Sequence, residues 1–187
     1  MMPCRPKIKG SGVSCWRIPW YMLLSISSRK GAESNKRVYS TMSSPRILVL
    51  NGPNLNMLGK REPEVYGHET LADLDARCQA KASDLGLEAD CRQSNHEGDL
   101  VTWIQDAREN HEGIILNAGA YTHTSVALHD ALLAAQVPVI EVHLSNIFAR
   151  EEYRHHSFIS PIAVGVICGL GFQGYDLALE AMAARLA

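Results

Sequence analysis

Nowhere does the chain run to the roughly 18 consecutive apolar residues that a membrane-spanning helix needs, which excludes such an anchor. Basic residues are scarce over Met42 to Ala187, where ten Lys or Arg stand against nineteen Asp or Glu. Nucleic-acid binders gain affinity by neutralising phosphates with clustered Lys and Arg, so this imbalance argues against a nucleic-acid partner. Cysteine is sparse and oddly placed. Of five, two fall within the first 41 residues, and Cys78, Cys91 and Cys168 have neither a metal-binding spacing nor the even count of a disulfide framework. Reduced, cytoplasm-like conditions fit that usage. Eight histidines are present, but no HExxH motif, and His123 and His129 stand six apart on an expected helix, which puts them on different faces. No internal repeat or low-complexity tract occurs after residue 41, so solenoid and fibrous architectures drop out.

What is present divides at about residue 41. Residues 1–41 carry eight Lys or Arg with Glu33 as the sole acid. Their segment "IPWYMLLSIS" reads as a weak secretory signal or part of an Arg- and Ser-rich transit peptide, unless Met42 is the natural start. Under each reading this leader is expected to lie outside the fold. Residues 42–187, 46% apolar and 20% charged for the chain as a whole, suffice for one globular domain with a full core.

From Arg46 onward, short β-rich runs alternate with longer stretches of helical period. "RILVL", "LEADCRQ", "GIILN", "PVIEVH" and "AVGVICG" read as strands. "ETLADLDARCQAKASDLG", "EGDLVTWIQDAREN", "HTSVALHDALLAAQ" and "YDLALEAMAARLA" read as helices. Thr70 sits where an N-cap belongs, Gly86 where a C′ glycine belongs, and Pro138 resumes the chain after the third helix. The alternation predicts an α/β fold: a flavodoxin-like three-layer sandwich around a five-stranded parallel sheet, with right-handed crossovers.

In such a fold, ligands bind beyond the carboxyl ends of the strands. Asn51, Gly52, Pro53 and Asn54 follow the first strand, and Gln93, Ser94, Asn95 and His96 the second. Asn117, Ala118 and Gly119 follow the third, with His123 close behind. The fourth ends in Glu141, Val142, His143, Leu144, Ser145 and Asn146. Asn, Ser and Gly cap helices and make turns in most loops. Four such loops on one rim, however, point to a site. Glu141 and His143 flank a valine and so share a strand face. A carboxylate beside an imidazole can fix its tautomer and raise its basicity.

The loop "NGPNLNMLGKREPEVYG" adds a cation and a second titrating group. Tyrosine has a reference pKa near 10, so ionising it at neutral pH costs about 4 kcal/mol, and an adjacent arginine lowers that cost. Arg61 stands five residues before Tyr66; the alternative is an exposed loop with an incidental aromatic. Arg150 and Arg154 lie one helical turn apart, either as a solvated charged turn or, for Arg154, as a ligand contact. "GLGFQG", Gly169 to Gly174, matches GxGxxG, yet only thirteen residues follow it and no acidic partner stands about 20 positions on, so it reads as a tight strand-to-helix turn. Cys168 reads as a small buried hydrophobe.

Taken together, "LNGPNLNMLGKREPEVYG", "QSNHEG", "ILNAGAYTHTSVALHDA", "IEVHLSN" and "REEYRHHSFIS" resemble the type II 3-dehydroquinate dehydratases in order and spacing, over about Arg46 to Ala187. The leader departs from that compact pattern. The resemblance implies a dehydration of 3-dehydroquinate to 3-dehydroshikimate through an enolate, with no metal and no cofactor. It makes Tyr66 the general base, with Arg61 holding it as phenolate in the same lid. Asn54 would position a water on the enolate, and His143, oriented by Glu141, would protonate the departing hydroxyl. Asn117, His123 and Arg154 would hold ring hydroxyls, and Leu144 and Ser145 the carboxylate. Asp130 would reach a neighbouring subunit's site, in a dodecamer built from trimers. A second class of this activity uses a Schiff-base lysine. Here Met42 to Ala187 offers only Lys60 and Lys81, one in a loop and one on a helix surface.

Overall fold

The computed structural model describes residues 44–60 and 69–187. Arg61 and Tyr66 lie outside the described residues. Five strands, β1 (Arg46–Asn51), β2 (Glu88–Gln93), β3 (Gly113–Asn117), β4 (Val139–His143) and β5 (Gly165–Cys168), form one sheet in the order β2-β1-β3-β4-β5. Every pairing is parallel, which gives the flavodoxin-like order expected from the alternation. β3 and β4 are buried throughout and β1 after its first residue, as near-continuous apolar runs with helices on both faces should be. β2 and β5, at the edges, are half-exposed.

Helix α1 (Leu71–Asp84) opens on a capping box, in which Thr70 Oγ1 accepts the Asp73 N–H at 3.3 Å while the Asp73 carboxylate accepts the Thr70 N–H at 2.8 Å. It closes on Gly86 at φ +72°, with the Gly86 N–H bonded to Ser83 O and the Leu87 N–H to Ala82 O. That left-handed turn is why the position takes glycine. Helix α2 (Glu97–Asn110) spans the predicted stretch. Helix α3 (Val126–Ala135) is capped by Ser125, whose hydroxyl accepts the Leu128 N–H. It begins later than its periodicity predicts because Gly119–His123 winds as a 3₁₀ turn, so His123 stands before the helix that bears His129. Helix α4 (Gln173–Leu186) starts slightly earlier than predicted.

Two apolar layers hold the sandwich. On one face Ile47, Val49, Ile115 and Val142 pack with Leu74 and Cys78 of α1 and Tyr175, Leu179 and Met182 of α4. On the other, Leu48, Leu50, Ile114 and Leu116 pack with Leu100 and Ile104 of α2 and Leu128 and Leu132 of α3. Full burial of each large aliphatic residue is worth about 1.5–3 kcal/mol. Cys168 is half-exposed rather than buried, because β5 is an edge strand. Among the described residues no helix is long and apolar enough to cross a membrane.

The turn "GLGFQG" spends its backbone donors within the fold: the Gly169 N–H bonds His143 O at 3.2 Å and the Gly171 N–H bonds Leu144 O at 3.0 Å. Those amides brace the end of β4 and are not free to cradle a phosphate.

Candidate active site

Because β1 and β3 are in register from Ile47 with Gly113 to Asn51 with Asn117, their carboxyl ends stop level. β4 ends beside them, and a cleft of about 170 Å³ opens at this rim. The loop after β1 contributes Pro53 and Asn54, the end of β3 contributes Asn117 and Gly119, the 3₁₀ turn contributes His123, and the end of β4 contributes His143, Leu144 and Ser145. Arg150 and Arg154 also line the cleft. Eight described residues singled out from sequence thus meet here: Asn54, Asn117, His123, His143, Leu144, Ser145, Arg154 and, just beneath, Glu141.

Glu141 and His143 do share a strand face, as their spacing requires. Both are buried, Glu141 completely, and His143 Nε2 lies 2.7 Å from Glu141 Oε1. The carboxylate is an acceptor, so the proton sits on Nε2 and Nδ1 is the ring nitrogen not engaged by Glu141. Burial alone would raise the Glu141 pKa, but hydrogen bonds from His143, Ser160 and Ser157 outweigh it and hold the carboxyl below the ordinary range. Ser160 Oγ donates at 2.5 Å, and Ser157 Oγ lies at 3.0 and 3.2 Å from the two carboxylate oxygens. Ser157 Oγ in turn accepts the backbone N–H groups of Ile159 and Ser160, so its single proton is free to be directed at the carboxylate.

In the sequence nothing marks these serines as site residues beyond two hydroxyls three apart in "SFIS". The same segment orients the imidazole of His123, whose Nδ1 donates to His156 O at 2.7 Å and whose Nε2 is therefore unprotonated in the neutral ring. Burial pushes the His123 pKa down, the bond to the carbonyl pulls the other way, and the nearby His143 and Arg154 lower it further. The two imidazoles lie nearly parallel, with ring centroids 6.4 Å apart and 13° between planes.

Arg154 sits in a 3₁₀ turn, Glu152–Arg154, with Nε bonded to Glu151 at 2.8 Å. Burial acts to lower its pKa, but the Glu151 carboxylate overcomes this and the guanidinium stays charged. Asn54 is exposed at the rim in the left-handed region, φ 68°, a conformation asparagine tolerates better than most residues.

The loop after β2 differs from expectation, because none of Gln93, Ser94, Asn95 and His96 lines the cleft. Instead Asn95 Oδ1 accepts the Asn54 N–H at 3.0 Å and a Gln93 Nε2 proton at 3.1 Å, while Tyr121 donates to the Asn95 carbonyl. This loop braces the first one rather than facing a ligand. Asp130 is exposed on α3 and lies outside the cleft of its own chain. Lys81, on α1, is ion-paired with Glu180, away from the site; Lys60 is exposed.

The family model described as Dehydroquinase class II matches residues 45–183. The chain is 59% identical over 141 residues to the 3-dehydroquinate dehydratase of Rhodopseudomonas palustris (strain HaA2), covering 75% of this chain and 93% of that protein. It is 63% identical over 142 residues to 3-dehydroquinate dehydratase 2 of Pseudomonas putida, covering 76% and 95% respectively. Among solved structures, the type II dehydroquinase from Propionibacterium acnes superposes with a TM-score of 0.73 at 47% identity, over 75% of this chain and 97% of that one.

Proposed function

Because the chain belongs to the class II dehydroquinases, we propose that it dehydrates 3-dehydroquinate to 3-dehydroshikimate by a metal-free, imine-free elimination through an enolate. The observation that carries this reading is the buried Glu141 and His143 pair opening onto a cleft rimmed by amides and cations.

Tyr66, as phenolate beside Arg61, takes the proton from the carbon next to the ketone. The electron pair moves onto the carbonyl oxygen, where a water held by Asn54 stabilises the enolate. The enolate then collapses, the β-hydroxyl bond to carbon breaks, and His143 supplies the proton with which that hydroxyl leaves as water. The ionised Glu141, bonded to His143 Nε2 at 2.7 Å, fixes the orientation of the ring that makes this transfer. His123, Asn117 and Arg154 hold the ring hydroxyls, and the backbone amides of Leu144 and Ser145, with the Ser145 hydroxyl, hold the carboxylate. An imine route has little support, since Lys81 is ion-paired on a helix surface. The product serves synthesis toward shikimate or the breakdown of quinate, in the cytoplasm.

The active form is a dodecamer of trimers in which Asp130 completes a neighbour's site. Supporting this, α3 turns a stripe of Val126, Asp130 and Leu133 to the surface, with Val126 52% and Leu133 54% exposed. Sedimentation velocity on the purified chain reads that assembly directly.

The reaction is tested by following the ultraviolet absorbance of the conjugated enone after adding 3-dehydroquinate to the full chain, a Tyr66→Phe variant and a sample pretreated with borohydride in the presence of 3-dehydroquinate. Absorbance should rise with the native and borohydride-treated proteins and stay flat with the Phe variant. No rise from folded native protein would overturn the activity, and loss of the rise after borohydride would overturn the imine-free route.

A further inference from the structure

A buried polar chain beneath the cleft contains two side chains, Asn51 and Tyr175, that the proposed reaction leaves unused. Register sets Asn51 of β1 beside Asn117 of β3. A strand period of two turns both side chains to the face of Val49 and Ile115, against which Tyr175 packs. Tyr175, in the first turn of α4, is fully buried. Its hydroxyl accepts from Asn117 Nδ2 at 2.9 Å and donates its one proton to Asn51 Oδ1 at 2.6 Å. The Gly119 N–H meets Asn117 Oδ1 at 3.3 Å. Both ends of the Asn117 carboxamide are therefore specified, the nitrogen by Tyr175 and the oxygen by Gly119.

Burial pushes the Tyr175 pKa up, so the phenol stays neutral and can both accept and donate. Asn51 Nδ2 is buried without a partner among the described residues. Buried amides are nearly always satisfied, and an apolar side chain here would avoid the penalty. A chain of three polar groups retained at that cost, ending on a residue of the cleft, has a use beyond packing.

The geometry points to Tyr175 as a positioning residue for the dehydration: it holds the Asn117 carboxamide in the one orientation that presents its remaining N–H and lone pair to the substrate's ring hydroxyls. This rests on the proposed substrate contact of Asn117. Asn51, by taking the phenolic proton, obliges the Tyr175 oxygen to act toward Asn117 as an acceptor.

Tyr175→Phe keeps the ring in the core and deletes only the hydroxyl. KM should rise about tenfold, the equivalent of one misplaced hydrogen bond of about 1.4 kcal/mol. The kcat should change by no more than about twofold, because a grip on a ring hydroxyl is made equally in ground and transition states. Asn117→Ala should raise KM on its own, and adding Tyr175→Phe to it should raise KM no further. A packing role alone would lower the melting temperature and leave the KM of folded enzyme unmoved. Should the Phe variant fail to fold, Asn51→Ala frees the phenolic proton and should give a smaller KM rise in the same direction. A raised KM for Asn117→Ala with native KM for Tyr175→Phe and Asn51→Ala would overturn the positioning role alone. A native KM for Asn117→Ala would overturn the substrate contact and the positioning role with it, as would full additivity of the two substitutions for the positioning role.

Discussion

Replacing Glu141 by Gln tests the acid end of the mechanism with little change of shape. The native carboxylate takes one bond from His143 at 2.7 Å and further bonds from Ser157 and Ser160. A glutamine can keep its carbonyl toward His143 and the Ser157 hydroxyl, and the Ser160 hydroxyl can rotate to accept from its NH₂, so the fold should survive. What is lost is the charge. A hydrogen bond to a charged group is worth about 1.5–3 kcal/mol against about 1 for a neutral one. Enzyme that relies on the charged Glu141 behind its proton donor should therefore lose about tenfold or more in kcat, at about 1.4 kcal/mol per decade, with KM changed far less. Steady-state enone formation across pH, beside near-ultraviolet circular dichroism to establish native packing, makes the measurement. Stability supplies an independent readout. The folded Glu141 titrates below its ordinary value of 4.5, so its ionised form stabilises the fold above that pH, and the contribution is lost as pH falls through the folded value. The stability gap between native and variant should shrink in that acid window. A natively packed Glu141→Gln enzyme with kcat within about threefold of native would refute the assignment of His143 as an acid supported by this carboxylate.

His123 titrates below its ordinary 6.5, chiefly through burial, so the unfolded chain binds more protons and stability should fall as pH drops below 6.5 toward the lower folded value. His123→Asn should flatten that limb in chemical denaturation and raise KM; an unchanged slope would reject the shift. Two glycines should separate conformation from contact. A Cβ at Gly86 meets nothing within 4 Å, but φ is +72°, so Gly86→Ala should cost about 1–2 kcal/mol of stability, read by urea unfolding, at native kcat. At Gly52 a Cβ would lie 2.4 Å from Ala118 O. Gly52→Ala must therefore push apart the ends of β1 and β3, and should lower activity as well as stability, by about 1–3 kcal/mol.

Much of this protein can be read before it folds, because its signals are periodic or local. The strand and helix alternation, Thr70 at an N-cap, Gly86 at a left-handed C′ position and the shared face of Glu141 and His143 all depend on residues within a few positions of one another. The fold class follows, and with it the rim on which ligands gather. The exceptions share a cause. The helical period runs back to His123, yet the helix begins only at Val126, since a 3₁₀ turn intervenes. The β2 loop carries the same residue types as its neighbours, yet braces Asn54 instead of facing the cleft.

Tertiary structure alone decided which groups complete the site. Ser157 and Ser160 reach Glu141 across 16 and 19 residues, and Tyr175 reaches Asn51 across 124. Contacts of that range leave no period in the chain. They depend on where the packed core delivers each side chain, and a buried carboxylate or amide finds its partners only when the layers close.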